Sequence, residues 1–162
     1  MSLNIWQVRE FVVRPALAYI GMASPAAVQL VMATGDAESG FQFIDQKTSG
    51  ADKPGPAYGA FQMEGLTHDD IWRWLGFRAE LAQKVRQRMI LGVSGPEQMQ
   101  GNMYYAAIMC RLHYARFSEA LPELGDIGGM ARYWKKYYNT PLGAGTEDGF
   151  RHKAARVFMM KD

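Results

Sequence analysis

A single cysteine, Cys110, among 162 residues excludes an internal disulfide and any multi-cysteine metal centre. It stands among Ala106, Ala107, Ile108 and Leu112, the setting of a buried inert thiol rather than of a nucleophile. The three histidines, His68, His113 and His152, show no short metal-ligand spacing, so no metal and no cofactor are expected, and each reads as a surface or satisfied core residue. No stretch approaches the roughly 20 apolar residues of a membrane span, and Met1-Ser2-Leu3-Asn4 lacks the basic and apolar regions of a secretory signal. No membrane partner is expected. Charge of one sign is also scarce, with a formal net charge of +2. Arg78, Lys84, Arg86 and Arg88 form the densest basic stretch, but they lie at helical spacing without the period-2 aromatics and glycine loops of RNA-binding modules, so nucleic acid is not an expected partner. There is no internal repeat, low-complexity tract or linker.

What is there describes one ordinary globular domain over 1–162: an apolar fraction of 48%, four tryptophans, and enough chain for a single sizeable core. Ile5, Val8, Val12, Ala16 and Tyr19 form a helical stripe that Pro15 should split in two. Ser24 as N-cap, Pro25 in the first turn and Gly40 as terminator frame a second helix, whose stripe runs Ala27, Leu30, Val31, Thr34, Glu38. From Phe41 to Gly65 the periodicity vanishes among Gly50, Pro54, Gly55, Pro56 and Gly59, which predicts a long loop or a small irregular hairpin. Thr67 with Asp70 resembles a capping box for a short helix, and a further helix is expected from about Ala79 to Ile90. Pro96-Glu97 opens the most apolar helix, with Met99, Met103, Ala106, Cys110, Tyr114 and Phe117 on one face, predicted to be central and buried. Ile127, Met130, Trp134 and Tyr138 share a face until Thr140-Pro141, and a last helix starts at a Thr146 cap.

Glu38 is the residue whose position suggests chemistry. It closes a buried helical stripe at a helix C-terminus, where the negative end of the helix dipole and the loss of water both raise a carboxyl pKa. A general acid needs that environment. Read alone, Glu38 is first a helix-terminal carboxylate bound by a local backbone N–H, and Ser39 beside it either orients it or caps the turn. Asp36, two residues earlier, points elsewhere. In Tyr58-Gly59-Ala60-Phe61-Gln62-Met63, small residues permit close backbone approach and the Gln62 amide both donates and accepts hydrogen bonds, as a polyhydroxylated, amide-bearing sugar requires. A tight turn before a short apolar segment explains the same run equally well.

Together these residues resemble the lysozyme-like superfamily, in its branch of soluble lytic transglycosylases and goose-type lysozymes. Glu38-Ser39 with Phe41 matches that branch's catalytic Glu, Ser and aromatic at a helix end. Gly59, Gln62 and Met63 match its second motif, Asn102 with Ala106 its third, with alanine in place of the customary glycine, and Tyr138-Asn139 its last, where Tyr137 replaces a small residue. The similarity covers about 24–141. It implies a mainly α, lysozyme-like domain around a central buried helix, with the loop or hairpin beside the active-site cleft. Glu38 is then the acid that later acts as base, Ser39 and Gln62 contact the acid or the substrate, Tyr138 hydrogen-bonds Glu38, and Tyr58, Phe61 and Asn139 belong to the cleft. The implied substrate is the β-1,4 bond between N-acetylmuramic acid and N-acetylglucosamine in peptidoglycan glycan strands.

A lysozyme uses a second carboxylate, for which Asp45, Asp52 and Glu64 are the candidates, whereas a lytic transglycosylase lets a substrate hydroxyl attack. Both routes stay open, with the motifs closer to the transglycosylase branch. The competing class is a catalytically silent peptidoglycan-binding or structural module of a phage tail or secretion machine. Without a secretory signal, delivery as a phage virion component beside other virion proteins, or from the host cytoplasm by an endolysin route, is the expectation.

Overall fold

The computed structural model describes residues 2–46, 55–93 and 95–160; Asp52 lies outside the described residues. The chain is mainly helical, and among the described residues no helix is long and apolar enough to cross a membrane.

Helices α1 (Ile5–Val8) and α2 (Arg14–Tyr19) are joined by a π turn over Arg9–Val13. Pro15 has no N–H and its ring crowds the carbonyl four residues back, and the widened turn just before it accommodates both. Helix α3 (Pro25–Ser39) starts where Ser24 Oγ accepts from the Ala27 N–H at 3.2 Å and stops where Gly40 turns left-handed at φ 60°. Almost every residue between is buried, so α3 is a core helix on all sides rather than an amphipathic one.

The loop after α3 carries a short hairpin. β1 (Ala57–Tyr58) runs antiparallel to β2 (Met63–Glu64), with Ala57 opposite Glu64 and Tyr58 opposite Met63. Gly59 opens the turn at φ 73°, and a Cβ there would sit 2.4 Å from the Met99 carbonyl oxygen, so only glycine lets the turn approach that backbone.

Three boundaries differ from those the sequence predicts. Helix α4 (Gly65–Leu75) begins two residues before Thr67, which falls inside its first turn instead of capping it. Helix α5 (Ala79–Arg86) ends before Met89 and Ile90. The central apolar helix is broken: a 3₁₀ turn (Gly95–Glu97) and α6 (Gln98–Gly101) stop at Asn102, and α7 (Met103–Ala115) starts anew. Asn102 adopts φ −128° and ψ 83°, accepts from the Tyr105 N–H at 3.0 Å, and donates to the Arg88 carbonyl at 2.6 Å. Side-chain capping at that position competes with helix continuation and wins. Helix α7 is the buried helix expected, and it shares the core with α3.

Asp126 caps α8 (Ile127–Trp134), which passes directly into a second π turn over Lys135–Asn139. Thr146 Oγ1 accepts from the Gly149 N–H at 3.0 Å to start α9 (Glu147–Phe158), which packs along α3 and α8.

Candidate active site

Glu38 is the last residue but one of α3 and faces a cleft of about 550 Å³. Gln62 and Glu64 from the hairpin line this cleft, with His113 from α7 and Tyr138 and Asn139 from the second π turn. Burial pushes the Glu38 carboxyl up to about 7, against a weaker downward pull from a hydrogen bond with Trp134 and from the charge of Lys153. The Trp134 indole N–H donates to Glu38 Oε1 at 2.8 Å. At neutral pH the carboxyl is therefore divided between its protonated and charged forms.

Ser39 does different work from the one implied for it. Its hydroxyl donates to the Ala60 carbonyl at 2.6 Å and accepts from the Phe41 N–H at 3.0 Å, so it ties the end of α3 to the hairpin turn. Phe41 and Phe61 are both buried and meet edge to face at 5.9 Å. Phe61 is thus a core residue in this structure and does not face the cleft; what it presents is its backbone carbonyl, which accepts from the Tyr138 hydroxyl at 2.7 Å. With its proton given to Phe61, Tyr138 does not supply the hydrogen bond expected at Glu38; Trp134 does.

Gln62 lies in the cleft wall at φ 49°, its amide nitrogen donating to the Gly59 carbonyl at 2.7 Å. Asn139 is held by Lys135, whose ammonium donates to Asn139 Oδ1 and to the Gly143 carbonyl, each at 2.8 Å, fixing the 140–145 loop at the cleft edge. Tyr58 is half-buried in β1, its backbone bridged to Asp45, and neither residue lines the cleft. Asp45 accepts from Gln100 Nε2 at 3.2 Å. Of the three candidate second carboxylates, Glu64 is the one that the described residues bring into the cleft with Glu38. Asp36 points away from it, into a buried bidentate pair with Arg156 of α9.

Two residues of the site escaped sequence reading, one buried behind the acid and one on the cleft wall. Trp134 reads as one more apolar residue of the α8 stripe, yet it is the donor to Glu38. His113 lines the cleft as a neutral ring: its Nε2–H donates to the Tyr137 carbonyl at 2.6 Å, Nδ1 accepts from Arg116 at 2.8 Å, and burial pushes its pKa down to about 4. Cys110 is buried and its thiol is pushed far up, an unreactive environment.

Because the indole bond favours the charged carboxylate, Trp134→Phe is expected to raise the Glu38 pKa further. Titration of Glu38 by carboxyl-carbon NMR checks this, and an unchanged or lowered midpoint would contradict the geometry. Comparison of the chain with protein-family models, curated proteins and solved structures finds no match.

Proposed function

We propose that this chain cleaves the β-1,4 bond between N-acetylmuramic acid and N-acetylglucosamine in peptidoglycan, as a lysozyme-like domain of the lytic transglycosylase and goose-type lysozyme kind. The supporting observation is Glu38 itself, a carboxyl poised near neutrality by burial on the wall of an open cleft. A general acid works best with a pKa near the working pH. Protonated Glu38 gives its proton to the glycosidic oxygen as the C–O bond breaks, leaving an oxocarbenium-like centre on the other sugar. The carboxylate so formed then takes the proton of the attacking hydroxyl. In a single-Glu mechanism that hydroxyl belongs to the substrate and the product is an anhydro-sugar. Gln62, Asn139 and the 140–145 loop offer amides and backbone groups to hydroxyls and acetamido groups along the cleft.

One observation favours hydrolysis as a second reading: exposed Glu64 shares the cleft with Glu38, and the two carboxyls have unlike surroundings. Digestion of purified peptidoglycan followed by mass spectrometry separates the routes. For the single-Glu route we expect anhydro-muramyl ends and Glu64→Gln activity within about threefold of wild type. Reducing ends, with a Glu64→Gln loss of about 10² or more as for a missing general base, would establish hydrolysis instead.

A further inference from the structure

Glu38 stands on the wall of a second hollow, of about 480 Å³, lined also by Gln42 and Phe43 and by His152, Lys153 and Arg156 of α9. Glu38 and Phe43 belong to both hollows, a hairpin arm and an α9 arm that each border the acid. A polymer cut at Glu38 has both within reach.

The arms differ in charge. The hairpin arm carries acidic Glu64 with amides and hydroxyls, whereas the α9 arm carries three basic side chains. Its acid Asp36 is sealed beneath Arg156, which donates from Nε to both carboxylate oxygens at 3.0 and 2.8 Å and spends further donors on Ser2 and the Gly40 carbonyl, each at 3.1 Å. Arg156 is thereby committed to the fold. Lys153 and His152 remain, both exposed at the rim. Among the described residues no hydrogen bond or ion pair engages the Lys153 ammonium, and its field reaches Glu38.

We propose that the α9 arm binds a carboxylate carried by the glycan, with Lys153 as the residue that selects for it. The proposal rests on the glycan-cleaving reading above and deepens it. It also couples binding to chemistry. A bound carboxylate offsets the lysine charge that holds the proton affinity of Glu38 down, so the occupied groove keeps its acid protonated to higher pH. The other groups whose fields meet Glu38 are Trp134 from α8, Tyr138 from the π turn, and Tyr114 and Cys110 from α7. Those two tyrosines and the cysteine are pushed upward by burial and stay neutral throughout this range.

The carboxylate has two sources, the acid ether of the sugar or an attached peptide, and binding distinguishes them. In a Glu38→Gln background, which cannot turn over, affinity is measured by calorimetry for peptide-free anionic strands, peptide-bearing strands and neutral chitooligosaccharides. We expect anionic strands to bind more tightly than neutral ones, Lys153→Met to shrink that preference about threefold to fivefold, as for one exposed ion pair, and Lys153→Arg to retain it. Loss confined to peptide-bearing strands assigns the carboxylate to the peptide. With Glu38 intact, the alkaline limb of kcat is expected above that of kcat/KM, with the gap closing in Lys153→Met. A preference absent from the start, or untouched by Lys153→Met, overturns the proposal. Failure of the wild type to cut any strand while the preference persists instead overturns the glycan-cleaving reading.

Discussion

Glu38→Gln is expected to lower glycan cleavage by about 10² to 10⁴-fold, the usual worth of a positioned general acid, and to raise stability above neutral pH. Glutamine keeps the shape and can still accept from the Trp134 indole, so lost activity reports a lost proton rather than a lost fold. The stability effect follows from linkage. The folded carboxyl titrates near 7 and the unfolded one near 4.5, so the folded state binds more protons between those values. Stability is therefore undiminished below the lower value and falls as pH rises through the window, by up to about 3 kcal/mol once Glu38 is charged. The glutamine variant is free of that penalty. Its advantage in thermal midpoint should be small at pH 4 and largest at pH 8, and a difference independent of pH would mean that Glu38 is not held near neutrality. Wild-type activity should fall as pH rises through about 7, where the acid loses its proton. Equal cleavage by the variant and the wild type would remove Glu38 from the mechanism.

Arg156→Met is expected to destabilise the chain by about 3 kcal/mol, because it leaves the Asp36 carboxylate buried without its partner. The Asp36 side chain is 1% exposed and its charge is matched by an arginine whose side chain is 40% exposed, so the figure is the low end for a broken buried pair. For a chain of this length the loss corresponds to roughly 6–12 °C in Tm. Asp36→Asn tests the reasoning from the other side: it removes the charge along with the need for a partner, and its cost should be clearly smaller. Near-equal costs would mean that the pair contributes nothing beyond packing. Arg156 also holds the Gly40 carbonyl at 3.1 Å, beside the turn that follows Glu38, so Arg156→Met should lower activity even at temperatures where it stays folded.

Much of this architecture was legible because its determinants act over a few residues. Ser24, Pro25 and Gly40 bound α3 where the sequence predicts, and Thr146 starts α9, since an N-cap hydroxyl and a left-handed glycine need only their own neighbours. The hairpin shows in the glycines and in the loss of periodicity. The resemblance sets Asn102 within the central helix, yet its short side chain serves the local backbone better by breaking that helix. Phe61, a cleft aromatic on the resemblance, is core for a different reason: it lies in the turn between β1 and β2, where no periodicity says which face is buried.

The second π turn matters most for the site. The resemblance implies that Tyr138 hydrogen-bonds Glu38, whereas regular helical spacing sets Tyr138 on one face with Ile127, Met130 and Trp134. The wider turn over Lys135–Asn139 departs from that register; Trp134 meets the acid and Tyr138 bonds the Phe61 carbonyl instead. By itself, then, the sequence determined where α3 starts and stops, where α9 starts and which carboxylate closes a buried stripe, because caps, proline and period are local. Only the tertiary structure decided that this carboxylate is an acid near neutrality with an indole donor 96 residues away, since desolvation and long-range hydrogen bonds depend on which distant segments cover a side chain.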